Sequence, residues 1–414
     1  MIRDILLGQK RELDAQKGQL YIKRESEIKS LQKNIIKVVT GPRRAGKSFF
    51  IMNSMKDNFG YANFDDEYLT QEINYDEIVA AIDNIYSNPK LFFFDEIQNL
   101  PRWELFVNRL QRQGRNIILT GSNSNLLSSE LATHLTGRHL ETVIYPLSFR
   151  EIVGDATDQT AAEIKGKFEK YLRDGGYPEP FVKNIDIGGY LKTLFESTLY
   201  KDAIKRYKIR KPRELEAVAD FLISNTATQV SYNQIARSLG VKSVETIKKY
   251  CRILEESMLF FSIKKFSYKI KEQEIEARKI YCIDNGLIKA KAFSLTQNIG
   301  KLYENITAIE LKRREYSAGT KIFYWKNPQT NEEVDFVVKK ENRITDIIQV
   351  CCSLQNKKTE EREIRALLNA SKELKCTNLI LLNSSEEKSE RKEWFGTKGN
   401  ITYRPLWKWL LGIG

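Results

Sequence analysis

Histidine is almost absent: His134 and His139 are the two in 414 residues. A Ser-His-Asp triad or a histidine-built metal centre is hard to assemble from so few. The five cysteines, Cys251, Cys282, Cys351, Cys352 and Cys376, are odd in number, scattered and without CxxC spacing. That argues against a disulfide framework and against a zinc site. No apolar run approaches the roughly 18 residues that a membrane span needs, and "KLFFFDE" is typical of the longest. The opening "MIRDILLGQKRELDAQK" is too charged for a secretory signal. Together these absences are expected of a reduced, cytoplasmic protein with no membrane partner.

What is present is a foldable chain. Hydrophobic residues make up 41% and aromatics 11%, values normal for globular domains. At roughly 100–200 residues per domain, two to four domains are expected. Net charge is +13, unevenly placed. Residues 1–150 hold 20 Lys and Arg against 18 Asp and Glu, so the excess lies behind them, where a polyanionic partner could use it. Surplus charge also simply aids solubility.

"GPRRAGKS", residues 41–48, follows a β-branched strand, "NIIKVVT", and opens an apparent helix, "SFFIMNSMKDNF". It satisfies G-x-x-x-x-G-K-[ST], a loop whose backbone N–H groups converge on a β-phosphate at a helix N-terminus. Gly41, Pro42, Arg43, Arg44, Ala45 and Gly46 would form the cradle. Lys47 would reach the β- and γ-oxygens and Ser48 would ligate Mg²⁺. "NPKLFFFDEIQNL" then reads as a buried parallel strand with Asp95 and Glu96 at its carboxyl end, where α/β sheets bind ligands. Asp95 would hold the Mg²⁺ through water, and Glu96 would orient and activate attacking water. A third strand, "GRNIILTGS", ends in Thr120, Ser122 and Asn123, polar groups able to sense a γ-phosphate. Arg138 could be an arginine finger on a neighbouring subunit, a phosphate sensor in its own, or a structural ion pair.

"GPRRAGKS", "LFFFDEIQ", "ILTGSNSNLLS", "LTGRHLETVIYPLSFREI" and the later "GGYPEP" occur in this order across most of residues 30–180. In them the sequence resembles the AAA-type P-loop ATPases of bacteria and archaea that carry a C-terminal domain of unassigned function. The resemblance implies an ATP-binding, hydrolytic α/β domain and leaves the substrate unspecified. The charged segment from Gln9 to Asn34, with Leu13, Leu20 and Ile28 at helical spacing, is expected to be a helix beside that domain's sheet.

Residues 224–267 read as helix, glycine turn, helix and strand. Ser231 caps the first helix, Gly240 ends it, and Ser243 caps a second whose Ile247, Cys251 and Leu254 share a face. This order looks like a winged helix-turn-helix. The second helix would offer Lys242, Lys248, Lys249 and Arg252 to double-stranded DNA, and residues 201–275 hold 16 basic and 9 acidic residues. Lysines on phosphate give binding with little sequence preference. Winged helices also serve as spacers between domains.

Toward the C-terminus, "YENITAIELKRREY", "IFYWKN", "EEVDFVVKK" and "RITDIIQVCC" read as a helix and three strands, similar to the PD-(D/E)xK nuclease core. Laid on that pattern, Glu304 or Glu310 stands for the helix acid and Asp335 for the aspartate. The E-x-K falls on Gln349-Val350-Cys351, which has neither the carboxylate nor the ammonium, and Asp335 alone makes a weak Mg²⁺ site. Alternation puts Asp346 on the other face of its strand.

The expectation is an α/β chain in three parts. Residues 1–180 form an AAA-type P-loop sheet domain with its N-terminal helix, 181–270 a helical connector and winged helix, and 271–414 a degenerate nuclease-like α/β domain. ATP and Mg²⁺ are the expected cofactors. The expected function is an ATPase whose nucleotide state gates engagement of DNA or a protein partner, with an oligomer open. The alternatives are a nucleotide-gated DNA-binding regulator with negligible turnover and an active metal-dependent nuclease.

Overall fold

The computed structural model describes residues 1–31, 34–55, 58–70, 74–121, 139–183, 185–291 and 298–413. They form two compact units. The first comprises Met1–Pro146, Pro178–Asn184 and Glu256–Met258; the second holds the rest.

The first unit is built on five parallel strands: β1 (Ile36–Thr40), β2 (Phe59–Asn63), β3 (Leu91–Asp95), β4 (Asn116–Gly121) and β5 (His139–Val143), in the order β2-β3-β4-β1-β5. All five residues of β1 and of β3 are buried, as expected for strands covered on both faces. That is why both read as unbroken apolar runs. Helices α1 (Ile2–Gln16), α2 (Lys47–Ser54), α3 (Tyr75–Ile85) and α4 (Trp103–Arg112) belong to the same unit. The chain leaves β1 for the far edge and returns through β3 and β4, so β4 separates the β1 loop from the acids of β3.

At the β2 edge the Gln9 side chain of α1 donates to Asn63 O at 3.0 Å and accepts from Asn63 N at 2.9 Å. An amide thereby satisfies strand groups that an open edge would expose. This helix is shorter than the sequence spacing suggested. Lys17 turns extended, and Leu20 is left largely exposed. Ile28 joins the core from irregular chain instead.

The second unit begins with helices. They are α5 (Ala161–Asp174), α6 (Ile187–Thr198) and α7 (Pro212–Ser224). Next come β6 (Thr228–Val230), α8 (Tyr232–Leu239), α9 (Val244–Glu256), β7 (Phe260–Lys265) and β8 (Arg278–Cys282). Ser231 Oγ accepts from Gln234 N at 3.1 Å and Ser243 Oγ from Thr246 N at 3.2 Å, which starts α8 and α9. Strand β8 lies between β6 and β7, antiparallel to both.

Helices α10 (Asn285–Lys291) and α11 (Ile299–Ala318) lead into an antiparallel meander of β9 (Thr320–Lys326), β10 (Glu333–Lys340) and β11 (Arg343–Val350). Helix α12 (Lys357–Leu374) then crosses to β12 (Leu379–Asn383), parallel to β11. A hairpin of β13 (Lys388–Trp394) and β14 (Thr397–Pro405) and a last helix, α13 (Leu406–Leu411), complete the unit. Trp407 and Trp409 are buried, so the aromatic terminus is docked. Strand β7 also pairs with β9, through Lys264–Phe323 and Lys265–Tyr324, and this joins everything from β6 to β14 into one nine-stranded sheet.

Buried Asp284 holds the start of this unit to its middle. Its carboxylate accepts from Gly176 N at 2.7 Å and from Gly286 N at 2.8 Å. Burial nevertheless pushes the acid up to about 6. Gly175 has φ 74°, and a Cβ there would stand 1.8 Å from Asp284 Oδ1. Gly175→Ala therefore meets both a left-handed backbone and a hard clash. It is expected to destabilise the protein by roughly 2–4 kcal/mol, read as a lowered urea midpoint by circular dichroism.

Candidate functional site

The residues chosen from the loop after β1 and from the end of β3 meet at one carboxylate. Asp95 is buried at the last position of β3. Ser48 Oγ, in the first turn of α2, donates to Asp95 Oδ2 at 2.7 Å, and Tyr61 of β2 donates to the same oxygen at 3.3 Å. Thr120 Oγ1, near the end of β4, donates to Asp95 Oδ1 and accepts from Glu96 N at 2.9 Å. Burial and then neighbouring Glu96 push the Asp95 acid up, while the Thr120 and Ser48 hydrogen bonds and the Lys47 charge oppose the shift.

Lys47 Nζ donates to Gly41 O and Pro42 O, each at 3.1 Å, and stands 3.9 Å from Glu96 Oε1. Gly46, immediately before α2, has φ 89°, the left-handed turn that lets the loop close onto the helix. Glu96 also has a positive φ, 51°. A non-glycine residue held there at a strand end stores strain, and its side chain is aimed beside the lysine, with Gln98 Nε2 donating to it.

These donors fit a magnesium nucleotide. A serine hydroxyl and a carboxylate 2.7 Å apart are hard oxygen ligands of the kind Mg²⁺ takes, and the Lys47 ammonium rests on carbonyls of the loop beside them. Arg44 pairs with Glu179 of the segment Pro178–Asn184 at 3.4 Å. Ser122, Asn123 and Arg138 lie outside the described residues.

Two participants carried no sequence motif. Thr120 was singled out only for its place at a strand end, yet it bridges Asp95 and Glu96. Arg24, on the irregular chain after α1, is buried; its guanidinium donates to Ala45 O in the phosphate loop and, at 3.0 Å, to Tyr145 O. A lone arginine in a charged segment gives no signal of such a contact.

The second unit holds another cluster of charge. Lys279 Nζ, on β8, lies 2.9 Å from Glu304 Oε1, 2.6 Å from Glu333 Oε1 and 2.8 Å from Asp335 Oδ1. Tyr281 OH donates to Glu304 at 2.8 Å. Burial would lower the ammonium, but Asp335, Glu304, Tyr281 and Glu333 together raise it well above the ordinary lysine value. Of the two helix acids considered, Glu304 reaches the cluster, while Glu310 pairs with Arg314 at 3.0 Å. Glu333 and Glu304 stand on the same ammonium as Asp335. Gln349 accepts from Asp335 N at 3.1 Å and donates to buried Glu363 at 2.7 Å. Cys351 turns to Ser353 O, and Asp346 is held by Asn378 at 2.7 Å, away from the cluster.

Residues 33–153 match an AAA domain; residues 165–297 and 299–404 match two domains of unknown function, DUF8612 and DUF4143. Uncharacterized protein MJ1544 of Methanocaldococcus jannaschii is 36% identical over 96% of this chain and 93% of its own length. An uncharacterized protein of Haemophilus influenzae is 31% identical over 78% and 85%. Among solved structures, the S. cerevisiae Hsp104-ADP complex is similar at 14% identity and a TM-score of 0.32, covering 59% of this chain and 40% of that one. No helix among the described residues is long and apolar enough to cross a membrane. On the archaeal relative's 36% identity over 96% of this chain, the chain belongs to the family of MJ1544, and it joins an AAA-type P-loop domain to two domains of unknown function.

Proposed function

We propose that this chain is a Mg²⁺-dependent ATPase whose nucleotide state governs how its C-terminal half engages DNA. The observation that carries the reading is the meeting of Ser48, Asp95, Thr120 and Glu96 beside Lys47. In this reading Lys47 binds the β- and γ-oxygens, Ser48 and Asp95 hold the metal, and Glu96 takes a proton from attacking water. Mg²⁺, when bound, neutralises charge on the phosphates. Ser122 and Asn123 are assigned to γ-phosphate sensing and Arg138 to a finger or sensor role.

The DNA half of the reading rests on α9. Lys242, Lys248, Lys249 and Arg252 are all exposed on and just before that helix. The order α7, β6, α8, α9, β7, β8, with β8 between the other two strands, supports a winged helix that follows the ATPase domain of residues 1–180 and runs past the expected boundary at 270 to include β8. Helix α11, the β9–β11 meander, α12 and a parallel β12 support a nuclease-like fold in residues 271–414. That fold is read here as lacking nuclease activity.

Phosphate release from ATP is the test, with and without double-stranded DNA. Wild type is expected to turn over and to be stimulated by DNA. Lys47→Ala is expected to lose nucleotide binding. Glu96→Gln is expected to keep binding and lose roughly 10²–10⁴-fold in turnover. Turnover in Glu96→Gln equal to wild type would overturn the assignment of the base. Turnover indifferent to DNA would redirect the C-terminal half to a protein partner.

Thr120→Val keeps the volume and removes both the donation to Asp95 and the acceptor for Glu96 N. Turnover is expected to fall about 10–100-fold in the same assay, because a group that orients ligands acts on that scale.

On the DNA side, replacing Lys248 and Lys249 by Ala is expected to weaken binding evenly across sequences. Each lost phosphate contact should flatten the slope of log K against log salt by about 1, measured by fluorescence anisotropy.

A further inference from the structure

Three carboxylates that converge in a protein interior repel one another and need a cation among them. Here the cation is part of the chain. Lys279 is almost fully buried, and its Nζ lies 2.6–2.9 Å from oxygens of Glu304, Glu333 and Asp335. These acids come from α11, from the first position of β10 and from two residues further on, so the fold itself brings them to one point. A cleft of about 390 Å³ lined by Glu333, Asp335, Gln349, Arg362 and Glu363 opens beside it.

We propose that Lys279 is the resident cation of this cluster, held by covalent attachment where a divalent metal ion would otherwise sit, and that removing its ammonium unmasks a site for a hard divalent cation. The distances decide between the two occupants. Oxygens at 2.6–2.9 Å suit an ammonium that donates three hydrogen bonds, whereas Mg²⁺ demands about 2.0–2.1 Å. Among the described residues no group of three or more acids, histidines or cysteines is placed to hold a metal ion.

The same occupancy explains the amide at 349. Gln349 bridges Asp335 N and the Glu363 carboxylate through its two ends. A glutamate there could not donate to Glu363 and would add a further negative charge to a centre where one ammonium already faces three acids. With three carboxylates and no nitrogen or sulfur ligand, the unmasked site would select Mg²⁺ or Mn²⁺ over softer ions.

The inference deepens the reading of this domain as a nuclease-like fold without activity, and its test is kept separable from that reading. Bound Mn²⁺ is counted by electron paramagnetic resonance in the full-length protein without nucleotide. Wild type is compared with Lys279→Met and with Lys279→Met/Glu333→Gln, the double variant relieving repulsion if the single one folds poorly. The expected result is one additional Mn²⁺ per chain in a Lys279→Met protein, bound at least tenfold tighter than by wild type. Its melting temperature should also rise with Mn²⁺, since an ion that binds only the folded state stabilises it. A variant with a wild-type circular dichroism spectrum and no additional Mn²⁺ overturns the proposal. So does Mn²⁺ binding by wild type that Asp335→Asn abolishes. Plasmid cleavage is scored separately: cleavage by wild type, lost in Asp335→Asn, would sink the reading of the fold as inactive, whereas the Mn²⁺ count in the Lys279 variants decides the present inference.

Discussion

A buried carboxylate stays charged only if enough donors surround it, and the first unit is organised around that requirement at Asp95. Its two oxygens are served by Ser48, Tyr61 and Thr120. Those donors come from α2, β2 and β4, so one side chain ties four elements together at the carboxyl end of the sheet. The strand order makes this work. With β4 between β1 and β3, Thr120 stands where it can bridge the acid of one strand and the backbone of Glu96. Replacing any donor leaves a desolvated charge short of a partner, which costs more than the bond itself contributed.

The chain meets the same electrostatic problem twice and answers it differently. At Asp95 the partners are hydroxyls, small neutral groups that can turn from the carboxylate toward an exchangeable ion. At Asp335 the partner is an ammonium on β8 of the same nine-stranded sheet, tethered by its own side chain. Neutral donors suit a site whose occupant comes and goes; an internal cation suits one whose charge must be constant. A single chain thus holds one carboxylate met by neutral hydroxyls and another met by an internal ammonium.

Much of the first unit was legible in the sequence because its signals are local. A strand buried on both faces reads as "LFFFD", and a phosphate loop has fixed spacing, so Lys47, Ser48, Asp95 and Glu96 could be placed in advance. Arg24 could not, since its contact with Ala45 spans irregular chain with no periodicity to follow. The N-terminal helix was overextended because Leu20 and Ile28 fit a helical spacing that Lys17 breaks. In the second unit the caps Ser231 and Ser243 were visible, being side-chain bonds within a few residues. Lys279 was not. Its partners lie 25 to 56 residues away along the chain, and long-range charge pairing leaves no trace in local pattern. A lysine at the head of the apolar run "IYCI" was the signal that could have been followed.

The pairing of β7 with β9 has a consequence for where this molecule can be cut. The two regions of unknown function meet at residues 297 and 299 by sequence, yet the sheet runs unbroken past that point. A fragment starting at 299 would expose the flank of β9 as a bare edge, open to pairing with another copy, and would lose Lys279 from among its three acids. The sequence boundary therefore falls inside one sheet, and a cut there would divide a single hydrogen-bonded layer.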